Sequence, residues 1–142
     1  EDVLYLVCDY IHSELESRLT EAIREEDSGR ESLKKAIAQL FRVMEEMSDY
    51  VLLIYQETKS LPKTTMKYVL RKEEEITGHF EQILQKGIRD GTLSLSPSSV
   101  KLMAHNIMVM GQMWTFRRWS LARHYSLEEY TRLQTALLLR DL

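Results

Sequence analysis

The stretch Lys63 to Arg89 constrains this chain more than any other segment. It runs for about 27 residues without a proline, or ~40 Å as a helix at 1.5 Å per residue. Its apolar residues Met66, Val69, Leu70, Ile76, Phe80 and Leu84, with Gly87, recur at three-and-four spacing, so one face must be covered by other elements. Leu61-Pro62 closes the element before it, because the residue preceding a proline is steered away from helical angles. Asp90-Gly91 stops it, with Gly91 suited to a left-handed C-terminal turn. A chain of 142 residues holding one such rod is one helical domain.

The remaining punctuation is also helical. Asp2 is placed to cap a first helix from Val3 to about Arg24, with Leu4, Val7, Cys8, Ile11, Leu15, Leu19, Ala22 and Ile23 at helical spacing. Ser28-Gly29-Arg30-Glu31 reads as a capping box opening a second helix, about Glu31 to Met47. Ser48 and Asp49 offer a cap for a short helix from Tyr50 to about Lys59. Ser96-Pro97 opens a helix that runs to about Arg123, and Ser126-Leu127-Glu128-Glu129 opens the last, to about Arg140. No window alternates as a strand does. The reading is an all-α, six-helix bundle in one domain, residues 1–142.

Two helices carry more apolar surface than one core needs. On the Pro97–Arg123 helix, Val100, Ala104, Ile107, Gly111, Trp114, Arg118 and Leu121 form a heptad seam. A second stripe holds Leu102, Val109, Met113 and Phe116, with His105, Gln112 and Trp119 beside it. The last helix pairs a stripe of Leu127, Tyr130, Gln134, Leu137 and Leu138 with further apolar positions. A helix apolar on two sides is buried on two sides. Either the helix is wholly internal to one monomer, or one side meets a partner chain. The second option predicts a homodimer in which the last two helices of each chain form a four-helix interface, with Ala104, Ile107, Gly111, Leu121, Tyr130, Gln134 and Leu137 in it.

Polar residues on apolar faces mark candidate sites. Arg118 lies between Trp114 and Leu121, and Glu73 lies within the apolar arc of the long helix. Buried charges demand partners, so the two form an ion pair, reach solvent, or anchor a ligand. The seven methionines either fill ordinary core or line an adaptable cavity. The candidate ligand-binding set is Met44, Met47, Met66, Glu73, Phe80, His105, Met108, Gln112, Trp114, Arg117, Arg118 and Trp119.

Several functions lack their residues. No HExxH, Glu-x-x-His or Gly-rich phosphate loop occurs, so neither an enzyme nor a resident metal or cofactor is expected. Cys8 sits on an apolar stripe and reads as packing, and a single cysteine points to a reducing compartment. No apolar run is long enough to span a membrane. Net charge is −3, which argues against this chain coating DNA by itself. Residues 1–31 carry ten acids and three bases, whereas residues 97–142 carry six bases and three acids.

Three segments carry a family resemblance. Glu1-Asp2-Val3-Leu4 looks like the start of the helix that follows a DNA-binding domain. Lys86-Gly87-Ile88-Arg89-Asp90-Gly91-Thr92-Leu93 looks like the end of a long helix before dimerisation helices. Gly111-Gln112-Met113-Trp114-Thr115-Phe116-Arg117-Arg118-Trp119, with Tyr130 and Gln134 downstream, is the sharpest of the three. Together they resemble the C-terminal, ligand-binding domain of TetR-family transcriptional repressors. The third run is similar to the branch of fatty-acid-degradation regulators that answer to acyl-coenzyme A, with Gln112 where that branch has His. The resemblance implies a cytoplasmic bacterial repressor and a homodimer with a small apolar or acyl-coenzyme A effector. Operator DNA would be bound only through an N-terminal helix-turn-helix domain absent from this chain. Arg117, Arg118 or Arg123 would meet the anionic groups of such an effector. The competing reading is a helical interaction module with a solid core and a Glu73–Arg118 ion pair.

Overall fold

The computed structural model describes residues 2–142, apart from the side chain of Asp2, so the cap expected at that residue lies outside the described residues. Seven α-helices follow one another, with no strand among the described residues: α1 Asp2–Ala22, α2 Gly29–Glu46, α3 Ser48–Glu57, α4 Lys63–Arg89, α5 Val100–Phe116, α6 Arg118–Leu121 and α7 Leu127–Leu139. Single turns of 3-10 helix, Thr58–Ser60 and Pro97–Ser99, precede α4 and α5.

Local chemistry sets most of these boundaries. Ser28 caps α2, and Glu31 returns the bond to the Ser28 backbone. Ser126 and Glu129 do the same for α7. Gly91, at φ +76°, turns the chain out of α4, and the amides of Thr92 and Leu93 both donate to the Gly87 carbonyl. Leu61 is extended before Pro62. Ser48 and Asp49 do not cap α3. They belong to its first turn, because the chain passes from α2 into α3 through the single residue Met47.

The expected helix from Pro97 to Arg123 is broken. It starts as a 3-10 turn and stops at Phe116, where Arg117 leaves helical angles (φ −113°, ψ 16°). The one-turn α6 follows this break, which accounts for seven helices rather than six. Glu45 on α2 holds this corner. Its carboxylate accepts from Trp114 Nε1 at 2.5 Å and from an Arg118 guanidinium nitrogen at 2.6 Å. The Glu73–Arg118 pair is therefore absent: Arg118 is half-exposed and bonded to α2 instead.

The core is centred on α2, which packs against α1, α3, α4, α5 and α7. Leu33, Ala36, Ile37, Leu40, Phe41 and Val43 are fully buried there. At the start of α2, Gly29 crosses α4 at Gly87 so closely that an added Cβ would lie 2.1 Å from the Gly87 amide nitrogen. The Gly29 amide also donates to Asp90 Oδ2 at 2.8 Å, which ties the two helix ends.

The expected dimer seam needs correction. Ala104 and Ile107 are fully buried within the single chain, and a Cβ on Gly111 would touch Leu40 of α2. With Trp114, these residues form the face of α5 that closes the monomer core. A side chain already surrounded by its own domain cannot also meet a second copy.

Candidate functional site

A partly enclosed cavity of about 200 Å³ lies between α1, α3, α4 and α5. α1 contributes Cys8, Ile11, His12 and Leu15, and α2 contributes Met44. From α3 and the turn after it come Val51, Ile54, Tyr55 and Thr58. Val69, Leu70, Glu73 and Ile76 line it from α4, and Met108, Gln112 and Phe116 from α5. Each set repeats at helical spacing, so a cavity wall is built from one stripe per helix. The volume exceeds the ~150 Å³ of a dry apolar cavity able to hold benzene.

The polar groups of this cavity are few and linked. His12 Nδ1 lies 2.7 Å from the Cys8 carbonyl, which can only accept, so Nδ1 carries the hydrogen. His12 Nε2 is thereby turned to Glu73, 4.0 Å from Oε1. Burial pushes the Glu73 carboxyl above its ordinary range, opposed by the nearby His12 and His105. Glu73 is not sealed, however, since 40% of its side-chain surface remains accessible. It faces space rather than packed neighbours. Burial, then the charges of Glu73 and Asp9, push the Cys8 thiol up to about 11, so it stays protonated and is no nucleophile. Among the described residues, no cluster of three His, Cys, Asp or Glu side chains is placed to hold a metal ion.

Four of the expected ligand residues therefore come together: Met44, Glu73, Met108 and Gln112. The others are dispersed. Phe80 and Trp114 are core residues, and Met66 is half-buried beyond the cavity wall. Met47 lines a separate shallow cleft with Val3, Leu6, Val7, Tyr10 and Tyr50. His105 is exposed, one turn before Met108. Arg117 and Trp119 lie at the α6 corner, the guanidinium carbon 5.5 Å from the ring centroid, and neither lines the cavity. Sequence reasoning named no ligand-binding residue of α1 or α3. The signal was present at Cys8, Ile11, His12 and Leu15, an apolar stripe carrying one histidine, as Glu73 is carried on α4.

A larger groove of about 710 Å³ runs between α1 and α4 at their far ends. It is open to solvent, and three of its charged or titratable side chains already have partners: His79 Nε2 is 3.1 Å from Glu16, and Lys86 donates to the Glu25 carbonyl. The enclosed apolar cavity is the better ligand site.

A three-sided α5 emerges from this geometry. Ala104, Ile107, Gly111 and Trp114 close the core, Met108, Gln112 and Phe116 wall the cavity, and Leu102 and Val109 face outward, 67% and 51% exposed. Residues 26–142 match the family described as tetracyclin repressor-like, C-terminal domain. The chain belongs to that family. Members of this TetR class are transcription regulators, not enzymes. Three solved structures share its fold across 99% of the chain. A regulatory protein of the tetR family from Rhodococcus RHA1 is 18% identical, with a TM-score of 0.85 and 72% of its own length covered. The TetR family regulator PfmR from Thermus thermophilus is 21% identical, with a TM-score of 0.82 and 75% covered. A TetR/AcrR family regulator from Thermobifida fusca is 21% identical, with a TM-score of 0.77 and 73% covered. No curated protein matches the sequence. Among the described residues of this TetR-type domain, no helix is long and apolar enough to cross a membrane.

Proposed function

We propose that this chain is the effector-sensing and dimerisation domain of a TetR-type transcriptional regulator, and that a small apolar effector binds in the cavity between α1, α3, α4 and α5. The observation that carries this reading is the cavity's position. One wall is α1, and α3, α4 and α5 supply the others. A ligand seated there touches α1 and the other walls, so its affinity depends on how α1 is tilted. If the intact protein carries a DNA-binding head before Glu1, the tilt of α1 sets the spacing of two such heads. Effector and operator then favour different tilts, which is the differential affinity that coupling requires.

The branch resemblance extends the proposal to a fatty acyl-coenzyme A ester. Met44 and Met108 supply a lining that adapts to a chain. The arginines expected to meet its phosphates do not line the cavity, and Arg118 is already engaged by Glu45. The geometry thus favours a compact effector. Titration calorimetry with acyl-coenzyme A esters, free fatty acids and short apolar molecules separates the cases. The compact-effector reading expects heat from the short molecules, and the ester reading expects it to grow with acyl length. Heat from none of them returns the domain to a pure interaction module.

The dimer is proposed from the outward side. Met113, Leu121, Tyr125, Tyr130, Leu133, Gln134 and Leu137 form an exposed cleft of about 390 Å³ between the α5–α6 corner and α7. Leu121, Gln134 and Leu137, expected in the interface from sequence, keep accessible surface there, whereas Tyr130 is 3% exposed and belongs to the core with Ala104 and Ile107. Leu102, Val109 and Leu137 each keep more than half of their surface exposed, an apolar excess that a second copy would cover.

A further inference from the structure

We infer that the cavity selects a compact apolar molecule bearing one protonated amine, with Glu73 as its counter-charge and His12 Nε2 as a second acceptor beside it. This rests on the reading of the cavity as the effector site and adds the ligand's chemistry. Among the cavity-lining residues Glu73 is the only acid, and no lysine or arginine is present. The cations just before Glu73 on α4 are committed elsewhere: Lys72 Nζ lies 3.4 Å from Glu75, and the Arg71 guanidinium lies 5.6 Å from the Tyr68 ring centroid.

Among the described residues, no side chain hydrogen-bonds the Glu73 carboxylate. Its one ion-pair neighbour is His12 Nε2 at 4.0 Å, beyond hydrogen-bond reach. The hydrogen on Nδ1 is held by the Cys8 carbonyl, so in its neutral form His12 offers Nε2 only as an acceptor. An ammonium group placed between the two has an acceptor on each side. A carboxylate or phosphate there meets a like charge in an apolar enclosure and finds no fixed cation. The Tyr55 and Phe116 rings, with centroids 4.7 Å apart, line the same space, and aromatic rings attract cations. Apart from Cys8, Thr58 and Gln112, the rest of the wall is aliphatic or thioether and takes the apolar remainder.

The test is calorimetry on the whole chain at neutral pH with three six-carbon probes: hexylamine, hexanol and hexanoate. Hexylamine should bind about tenfold or more tighter than hexanoate, with hexanol between them. Glu73→Gln keeps the shape and removes the charge. It should abolish the preference for hexylamine and leave hexanol affinity unchanged, which also shows that the variant is folded. Hexanoate binding as tightly as hexylamine, or an amine preference that survives Glu73→Gln, overturns the inference and leaves the cavity as an apolar effector site. Binding of none of the three removes the cavity reading itself and this inference with it.

Discussion

Glu73 sits against what its surroundings favour. Its carboxyl titrates above its ordinary value near 4.5 because burial penalises the charged form. The folded state therefore holds the Glu73 proton more tightly than the unfolded chain. Stability tied to that proton is present below the unfolded value and is lost as pH rises through the folded one. Glu73→Gln should accordingly raise the melting temperature at neutral pH and lose that advantage below about pH 4, where both states are protonated. Thermal melts of both proteins across pH 3.5–8 measure it, and an advantage independent of pH contradicts the assignment. Glu73 was legible as an oddity because a charge inside a three-and-four apolar stripe is visible in one dimension. Its neighbour was not: His12 is 61 residues away in sequence, and Arg118, the guessed partner, is held by Glu45.

At the scale of elements, helix ends were legible and helix faces were not. Both capping boxes, the Gly91 turn and the Leu61-Pro62 stop lie where their local chemistry puts them, since each needs only residues a few positions apart. The break at Arg117 depends instead on Glu45, about 70 residues earlier, which bonds Trp114 and Arg118 across the corner. The crossing of α2 and α4 is likewise tertiary. In sequence Gly29 is only the second residue of the Ser28–Glu31 capping box. In the fold its Cβ position is filled by the backbone of Gly87. Gly29→Ala should therefore destabilise the domain by about 3 kcal/mol or more, well above the usual surface effect, because backbone rather than a flexible side chain must move. Urea unfolding at constant slope checks it, and a change below about 0.5 kcal/mol rejects the close crossing.

For the whole molecule the question is which apolar surface serves the core, the ligand and a partner. Three faces of α5 divide this work, and α7, packed on α2, leaves Leu137 63% exposed. The dimer proposal predicts a mass near twice 16.8 kDa by light scattering. Leu137→Glu should yield monomer with an unchanged helical circular dichroism spectrum, because the residue is exposed in the single chain and the charge is costly only in an interface. An unchanged mass would move the interface elsewhere. Substituting Ala104 instead would test the core, not the dimer.

The sequence by itself determined the helical class, the number of long helices, the two capping boxes and the stripes each must bury. These follow from interactions within a few residues, whose geometry the helix period sets in advance. It also carried the family resemblance. Only the tertiary structure decided which stripe meets which. It turned the seam of Ala104, Ile107 and Gly111 inward onto α2, paired Arg118 with Glu45, and brought Cys8 and His12 of α1 to Glu73 of α4 around a cavity. Periodicity says that a face is buried. The partner is chosen by packing between helices far apart in the chain, and a hollow exists where that packing is incomplete.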